Sequence, residues 1–255
     1  LEADATDPAA AAMAVAQISP IVERTLADIQ TGSLNYLKSK PSSINVVVHN
    51  KYNPEGISQF NIVPGLLGVI LTMTMVMITS IAMTREAERG TMENLLAMPS
   101  KPLEVMIGKI TPYVLMGLVQ TIIILLASDM LFHVPFVGSG SSFALGVGLF
   151  ILTNLAIGFT FSTIAKSQMQ AMQLTFFFFL PSMLLSGFMF PFQGMPKWAQ
   201  YLGEILPLTH FLRIVRGIML KGTSLSLLSN EFLALLAILI IVGIIAMLRY
   251  RQTLD

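Results

Sequence analysis

The sequence predicts an all-α membrane protein, and three observations carry that expectation. Of the 255 residues, 54% are hydrophobic and only 11% are charged, with a mean hydropathy of +0.74; an ordinary soluble domain is about one-quarter charged. Five segments are apolar enough to cross a hydrocarbon core of roughly 30 Å, which takes about 20 helical residues. They are 62–83, 110–131, 143–164, 169–190 and 232–248. None carries the polar face that a buried helix of a soluble protein turns toward water.

Composition also removes several functions. A formal net charge of +1 leaves no basic surplus to neutralise phosphates, so nucleic acid is not an expected partner. With no cysteine there is no disulfide framework, thiol nucleophile or thiolate metal site. Gly108–Lys109 is followed by Ile110, so the phosphate-cradling loop that ends Gly-Lys-Ser/Thr is absent. His49, His133 and His210 are far apart, and no H-E-x-x-H pair exists to hold zinc. Gly138-Ser139-Gly140-Ser141 superficially suggests a nucleophile loop, but no base pairs with it, and a Gly/Ser turn is the better reading. We therefore expect no catalytic residue, no metal and no cofactor in this chain, which is not an enzyme by these signs.

In chain order, residues 1–61 hold no apolar run and read as the end of an extracytoplasmic α/β domain. A helix is expected over 9–37, with Ile18, Ile21, Val22, Leu26 and Ile29 spaced for one face, stopped by Lys40–Pro41. The β-branched run Ile44–His49 reads as a strand and Asn50–Pro54 as a turn. The transmembrane domain fills 62–255. Lys and Arg in short loops mark the cytoplasmic side. Arg85, Arg89, Lys101, Lys109, Lys166, Arg249 and Arg251 fall on one side if all five segments cross, against Lys197, Arg213, Arg216 and Lys221 on the other. The segment before Ile62 then lies outside. A chain opening on Leu1 leads us to expect an earlier span that delivers it, giving six in the natural protein.

The stretch 191–231 is too apolar for a solvated loop and too broken by Pro191, Pro196 and Pro207 to span. Two short helices are expected, 196–205 and 208–220, re-entering the outer leaflet over 191–221 with Pro207 between them. Trp198 and Tyr201 suit the headgroup level. We read Trp198, Tyr201 and Pro207 as an outer gate.

The loop after the first span is different. In Arg85–Pro102, Arg85, Glu86, Glu88 and Arg89 alternate in sign, Gly90 marks a bend, Thr91 and Glu93 continue the polar side, and Met92, Leu95 and Leu96 share a helix face. Alternating charge sets register at a protein interface, which is more than membrane retention requires. The stretch "REAERGTMENLLAMPSKPLEVMIGKITPYVLMG" resembles the cytoplasmic segment of ABC-2 type permeases, the membrane subunits of bacterial ATP-binding cassette exporters. "GFMFPFQGMPKWAQYLGEILPLTHFLRIVRGIMLKG" looks like that family's stretch before its last span. The resemblance runs from about Asn61 onward and is nearest the drug-export branch with a large periplasmic insertion. It implies a multi-pass subunit of the bacterial inner membrane, six spans, and a second permease subunit in a homo- or heterodimer. It also implies an ATP-binding subunit on a separate chain, which would carry ATP and Mg. A periplasmic adaptor protein is a candidate further partner. Residues 85–98 then fall at the family's coupling helix, so Arg85, Glu86, Glu88, Arg89, Gly90, Thr91 and Glu93 are the expected ATPase contacts.

Polar groups at membrane depth are the remaining candidates. Gln120 and Asn154, near mid-span of neighbouring segments, would join in an interhelical hydrogen bond or line a substrate path. Pro181 would kink its span, and Phe177 in the aromatic run beside it offers apolar recognition, helped by 17 methionines. Asp129 and His133, four apart, read as a helix end rather than a proton relay. The function expected is the permease subunit of an ATP-driven exporter, forming the translocation path and coupling to a separate ATPase. Drug-like amphiphiles, lipids and polymer precursors are all open as substrates, with multidrug efflux among the expectations from the resemblance. The alternatives are a proton-driven secondary transporter, which needs midplane ionisable groups the sequence scarcely offers, and a non-transporting membrane assembly protein, which would not need the charged helix.

Overall fold

The computed structural model describes residues 2–31, 49–89 and 102–252, in two compact units, Leu1–Asn61 and Ile62–Asp255.

In the first unit, strand β1 (Glu2–Asp4) pairs in parallel with β2 (His49–Lys51), and helix α1 (Pro8–Thr31) follows β1. Asp7 starts α1: its Oδ1 accepts from the backbone N–H groups of Ala9 (3.1 Å) and Ala10 (3.3 Å). Pro8 stands where a missing N–H costs nothing. The turn expected at Asn50–Pro54 begins later. Asn50 and Lys51 are in the ladder, and the Ala5 N–H extends it onto the Lys51 carbonyl. The bend is made by Asn53, whose side chain both accepts from the Ile57 N–H and donates to the Ile57 carbonyl at 2.9 Å. Of the expected strand, only His49 lies among the described residues. Of the helix expected over 9–37, the part up to Thr31 is described and 32–37 lie outside the described residues.

Among the described residues, the regular elements of the second unit are all helices. Helix α2 (Ser58–Glu88) leads into it, followed by α3 (Pro102–Phe132), α4 (Gly140–Ile164), α5 (Gln168–Leu185), α6 (Lys197–Glu204), α7 (Pro207–Lys221) and α8 (Ser229–Gln252). Among the described residues, four helices are long and apolar enough to cross a membrane, over Ser58–Glu86, Ile110–Phe132, Gly140–Ile164 and Ser229–Arg249. These match four of the five expected spans. The fifth, 169–190, is helical only to Leu185, because Gly187 adopts φ +86 and turns the chain away. With Gln168, Gln170 and Gln173 near its start, α5 is the shortest and most polar candidate.

Helix α4 is the centre, packing against α3, α5, α7 and α8. It has no charged side chain, and its buried positions run from Phe143 to Phe159. A Cβ built on Gly158 would lie 2.7 Å from the Val76 carbonyl oxygen, so α2 and α4 meet backbone to backbone there. The opposite surfaces of α3 and α8 are apolar and exposed, among them Leu115, Val119, Ile122, Leu126, Ile240 and Ile244. An apolar face of that extent belongs in lipid or against another chain, not in water.

Helix α7 inserts into this bundle, with twelve of its fifteen residues buried. The Phe211 ring stacks on Phe150 at 3.9 Å and 3°, and Leu208 and Phe211 both press on Gly68. Phe150 and Gly68 each lie about ten residues into their helices, or ~15 Å along the axis. Gly222, at φ +62, caps α7 in the left-handed conformation that glycine adopts without a Cβ clash.

Candidate functional site

The end of the bundle where α2 finishes holds the described part of the charged segment. Arg85, Glu88 and Arg89 are exposed, and Glu86 is half-buried. Gly90, Thr91, Glu93 and the rest of 90–98 lie outside the described residues. Glu88 faces its own chain: its carboxylate accepts from the backbone N–H of Gln168 (2.9 Å) and from the Gln168 side-chain amide (2.5 Å). Gln168 opens α5, where helical N–H groups lack partners. Ser167 accepts from the Gln170 N–H, and the Gln170 side chain accepts from the Lys166 N–H, so the start of α5 is capped on three counts. Those bonds from Gln168 hold the Glu88 carboxyl below its ordinary pKa. The last turn of α2 is thereby tied to the first turn of α5.

Within the bundle, Gln120 does not bond Asn154. Its Oε1 accepts from Thr74 of α2 at 2.9 Å, linking α2 to α3. Asn154 turns back on its own helix, donating to the Phe150 carbonyl at 2.9 Å, and its Oδ1 is buried without a hydrogen bond. A side chain one turn from the carbonyl it reaches finds it more readily than a partner on another helix. Phe177 is 77% exposed and Pro181 is also exposed, so both face away from the packed interior. Asp129 and His133 are exposed and joined by backbone alone: the His133 N–H caps the Asp129 carbonyl, at φ +49.

The other end is built by α6, α7 and the start of α8. Helix α6 turns Trp198, Tyr201, Leu202 and Ile205 outward, at spacings of three and four, and buries Ala199 and Gly203. Its apolar stripe therefore faces out, the reverse of a surface helix in water. Pro207 is the first residue of α7, where its fixed φ suits a helix start.

Beside it lies a charged cluster. The His210 ring is buried, with Nδ1 2.6 Å from Glu231 Oε2 and Nε2 2.9 Å from the Glu204 carbonyl oxygen. Arg213 donates to both carboxylate oxygens of Glu204 (2.5 and 3.0 Å) and to Glu231 Oε1 (3.3 Å), and its guanidinium sits 4.6 Å from the Phe192 ring centre. Burial pushes the His210 pKa down, but the bonds to Glu231 and the Glu204 carbonyl, with the charge of both carboxylates, leave it above its ordinary value. These residues were not singled out as a site from the sequence. Arg213 entered only as a topology charge and His210 only in the search for metal ligands. The signal available was His210 and Arg213 three apart in an apolar segment, with acidic residues on both sides of it.

The fold and these sites define a multi-pass helical membrane protein in which, among the described residues, no group of metal-ligating side chains exists. The ABC-2 type transporter family pattern matches residues 12–220, and the chain belongs to that family. It is 34% identical over 215 residues to the probable multidrug ABC transporter permease YbhR of Escherichia coli (strain K12), covering 84% of this chain and 58% of that protein. The inner membrane transport permease YhhJ of the same organism is 36% identical over 197 residues, or 74% of this chain and 52% of its own length. ABC transporter G family member 20 of Dictyostelium discoideum is 28% identical over 211 residues, 82% of this chain and 29% of that protein. The chain thus spans little more than half the length of the bacterial relatives it matches. No solved structure matches.

Proposed function

We propose that this chain is the greater part of the permease subunit of an ATP-driven exporter in a bacterial inner membrane. The observation that carries the proposal is the tie between the charged end of α2 and the start of α5, at the end of the bundle opposite α6 and α7. A force applied to 85–98 by a soluble partner would pass directly into α2 and α5. In this reading ATP and Mg bind between ATPase subunits on separate chains, and Arg85, Glu86, Glu88, Arg89, Gly90, Thr91 and Glu93 meet their groove. A second permease subunit completes the path. A periplasmic adaptor protein is a further proposed partner, drawn from the same resemblance as the drug-export branch.

The substrates we propose are drug-like amphiphiles, because related permeases are named for multidrug transport and the exposed aromatic run at Phe176 and Phe177 offers apolar surface. Gln120, Asn154, Phe177 and Pro181 are the proposed path residues. Trp198, Tyr201 and Pro207 are the proposed outer gate, with α6 in the headgroup layer and α7 re-entering behind it.

The test is reconstitution. The full-length permease is co-expressed with a candidate ABC ATP-binding subunit from the same genome, purified through a tag on the permease, and placed in proteoliposomes. Retention of the ATPase and substrate-stimulated ATP hydrolysis are expected. A permease that retains no ATPase, yet moves substrate on a proton gradient alone, would overturn the reading in favour of a secondary transporter.

A further inference from the structure

The cluster of Glu204, His210, Arg213 and Glu231 joins three elements that have no other charged contact with one another among the described bonds: α6 through Glu204, α7 through His210 and Arg213, and α8 through Glu231. Its geometry fixes a proton. Both ring nitrogens of His210 face oxygens, one a carboxylate and one a backbone carbonyl that can only accept. A neutral imidazole has one N–H, so it can satisfy only one of them and sets a lone pair against the other. The arrangement needs two N–H donors, which is the imidazolium. The proton shared with Glu231 rests on the ring, because the Arg213 cation reaches both oxygens of the same carboxylate, at 3.3 Å and 3.5 Å, and holds it ionised.

Helix α2 as far as Thr84, and all of α4 and α5, have no titratable side chain; Tyr201 on α6 is exposed, Lys197 lies at the far end of α6, Arg216 and Lys221 lie further along α7, and Arg249 lies at the far end of α8. Solvent reaches the cluster from the Glu204 side, which is 42% exposed, while His210 is 7% exposed. The proton therefore has an exit that the ring itself lacks.

We infer that His210 and Glu231 are positioning residues for transport, holding the α6–α7 pair on the first turn of α8 by a latch that is complete only while His210 carries its proton. The inference rests on the proposal that this pair is the outer gate of an exporter. Loss of the proton leaves an acceptor facing an acceptor at 2.6 or 2.9 Å, so the clasp on α8 keeps only the Arg213–Glu231 pair and the gate end loosens. The sign follows from the raised pKa of His210. The latch is whole at and below the ordinary histidine value and is lost as pH rises through the folded one. Between those two values, each pH unit shifts the balance by up to about tenfold.

The experiment uses the full-length permease in lipid nanodiscs. These 255 residues have no cysteine; with any cysteine elsewhere in the full-length protein changed to serine, spin labels go on Lys197→Cys and Leu227→Cys, both exposed, and the distance between them is followed from about pH 6 to about pH 9. One short distance is expected at low pH, with a longer population growing as pH rises. His210→Gln and the near-isosteric Glu231→Gln should each show mixed distances with no pH trend, and transport in the reconstituted complex should lose its pH dependence on the alkaline side. A wild-type distance that ignores pH, or a trend that survives in both variants, overturns the latch. A pH-dependent distance with pH-independent transport overturns its role in transport. The distance measurement needs no ATPase, so a permease that binds none would strike the exporter reading and leave this result standing.

Discussion

Asn154 is buried with one amide group used and the other not: Nδ2 reaches the Phe150 carbonyl, while Oδ1 has no hydrogen bond. A half-satisfied amide in an apolar interior costs more than a hydrocarbon of the same size, since the unpaired atom keeps its desolvation penalty, about 1–3 kcal/mol. Asn154→Leu is therefore expected to leave thermal stability unchanged or to raise it, read by the midpoint of unfolding in detergent. If Asn154 serves only the helix, transport is also unchanged. If it lines the path, transport falls while stability does not, and that split separates the two roles. Glu88 shows the same scale from the other side. Its alternation with Arg85 and Arg89 was readable and suggested a docking charge, but the partner the structure gives it is Gln168, eighty residues on. A pairing at that separation leaves no periodic trace in a sequence.

At the scale of elements, most of the architecture was legible because hydropathy and length act locally. Four spans fell where expected, and both short helices of 191–221 formed within a residue or two of their expected bounds. What was not legible depended on neighbours. Phe188–Phe190 looked like the end of a span, but the left-handed turn at Gly187 leaves them outside α5. The cluster around His210 needed α7 folded back beside α6 and α8 before its members met. Two outcomes test the packing. Gly158→Ala places a methyl carbon 2.7 Å from the Val76 carbonyl, which is backbone and cannot swing aside. It should cost about 1–3 kcal/mol, whereas Gly148→Ala, with open space around it, should stay within about 0.5 kcal/mol. Trp198 is the single tryptophan and stands on the outward stripe of α6. Its fluorescence should be quenched most by lipids brominated near the headgroup, less by those brominated at the acyl end, and least by aqueous iodide; strong iodide quenching with no lipid effect would put α6 in water.

The helical unit Ile62–Asp255 is asymmetric from end to end. At one end a charged helix terminus is tied to α5; at the other an inserted helix pair is clasped to α8 by ions. For an exporter driven from the cytoplasm, the first end must engage the ATPase and the second must respond. Arg89 is the better probe of engagement than Glu88, because Glu88 caps α5 and its loss would disturb the permease itself. The Arg89 side chain is exposed, and surface changes of this kind usually stay within about 0.5 kcal/mol of the parent stability. A charge desolvated at a docking site is different, since removing one partner costs roughly 2–5 kcal/mol of binding, or more than an order of magnitude in affinity. Arg89→Glu should therefore leave membrane abundance and unfolding midpoint at parental levels while weakening ATPase retention at least tenfold, about 1.4 kcal/mol. An acidic-to-basic reversal in the ATPase groove should restore part of it. Parental retention in Arg89→Glu, measured together with normal substrate-stimulated hydrolysis, would mean that 85–89 obeys only the charge rule for cytoplasmic loops, and the force would have to enter the permease elsewhere.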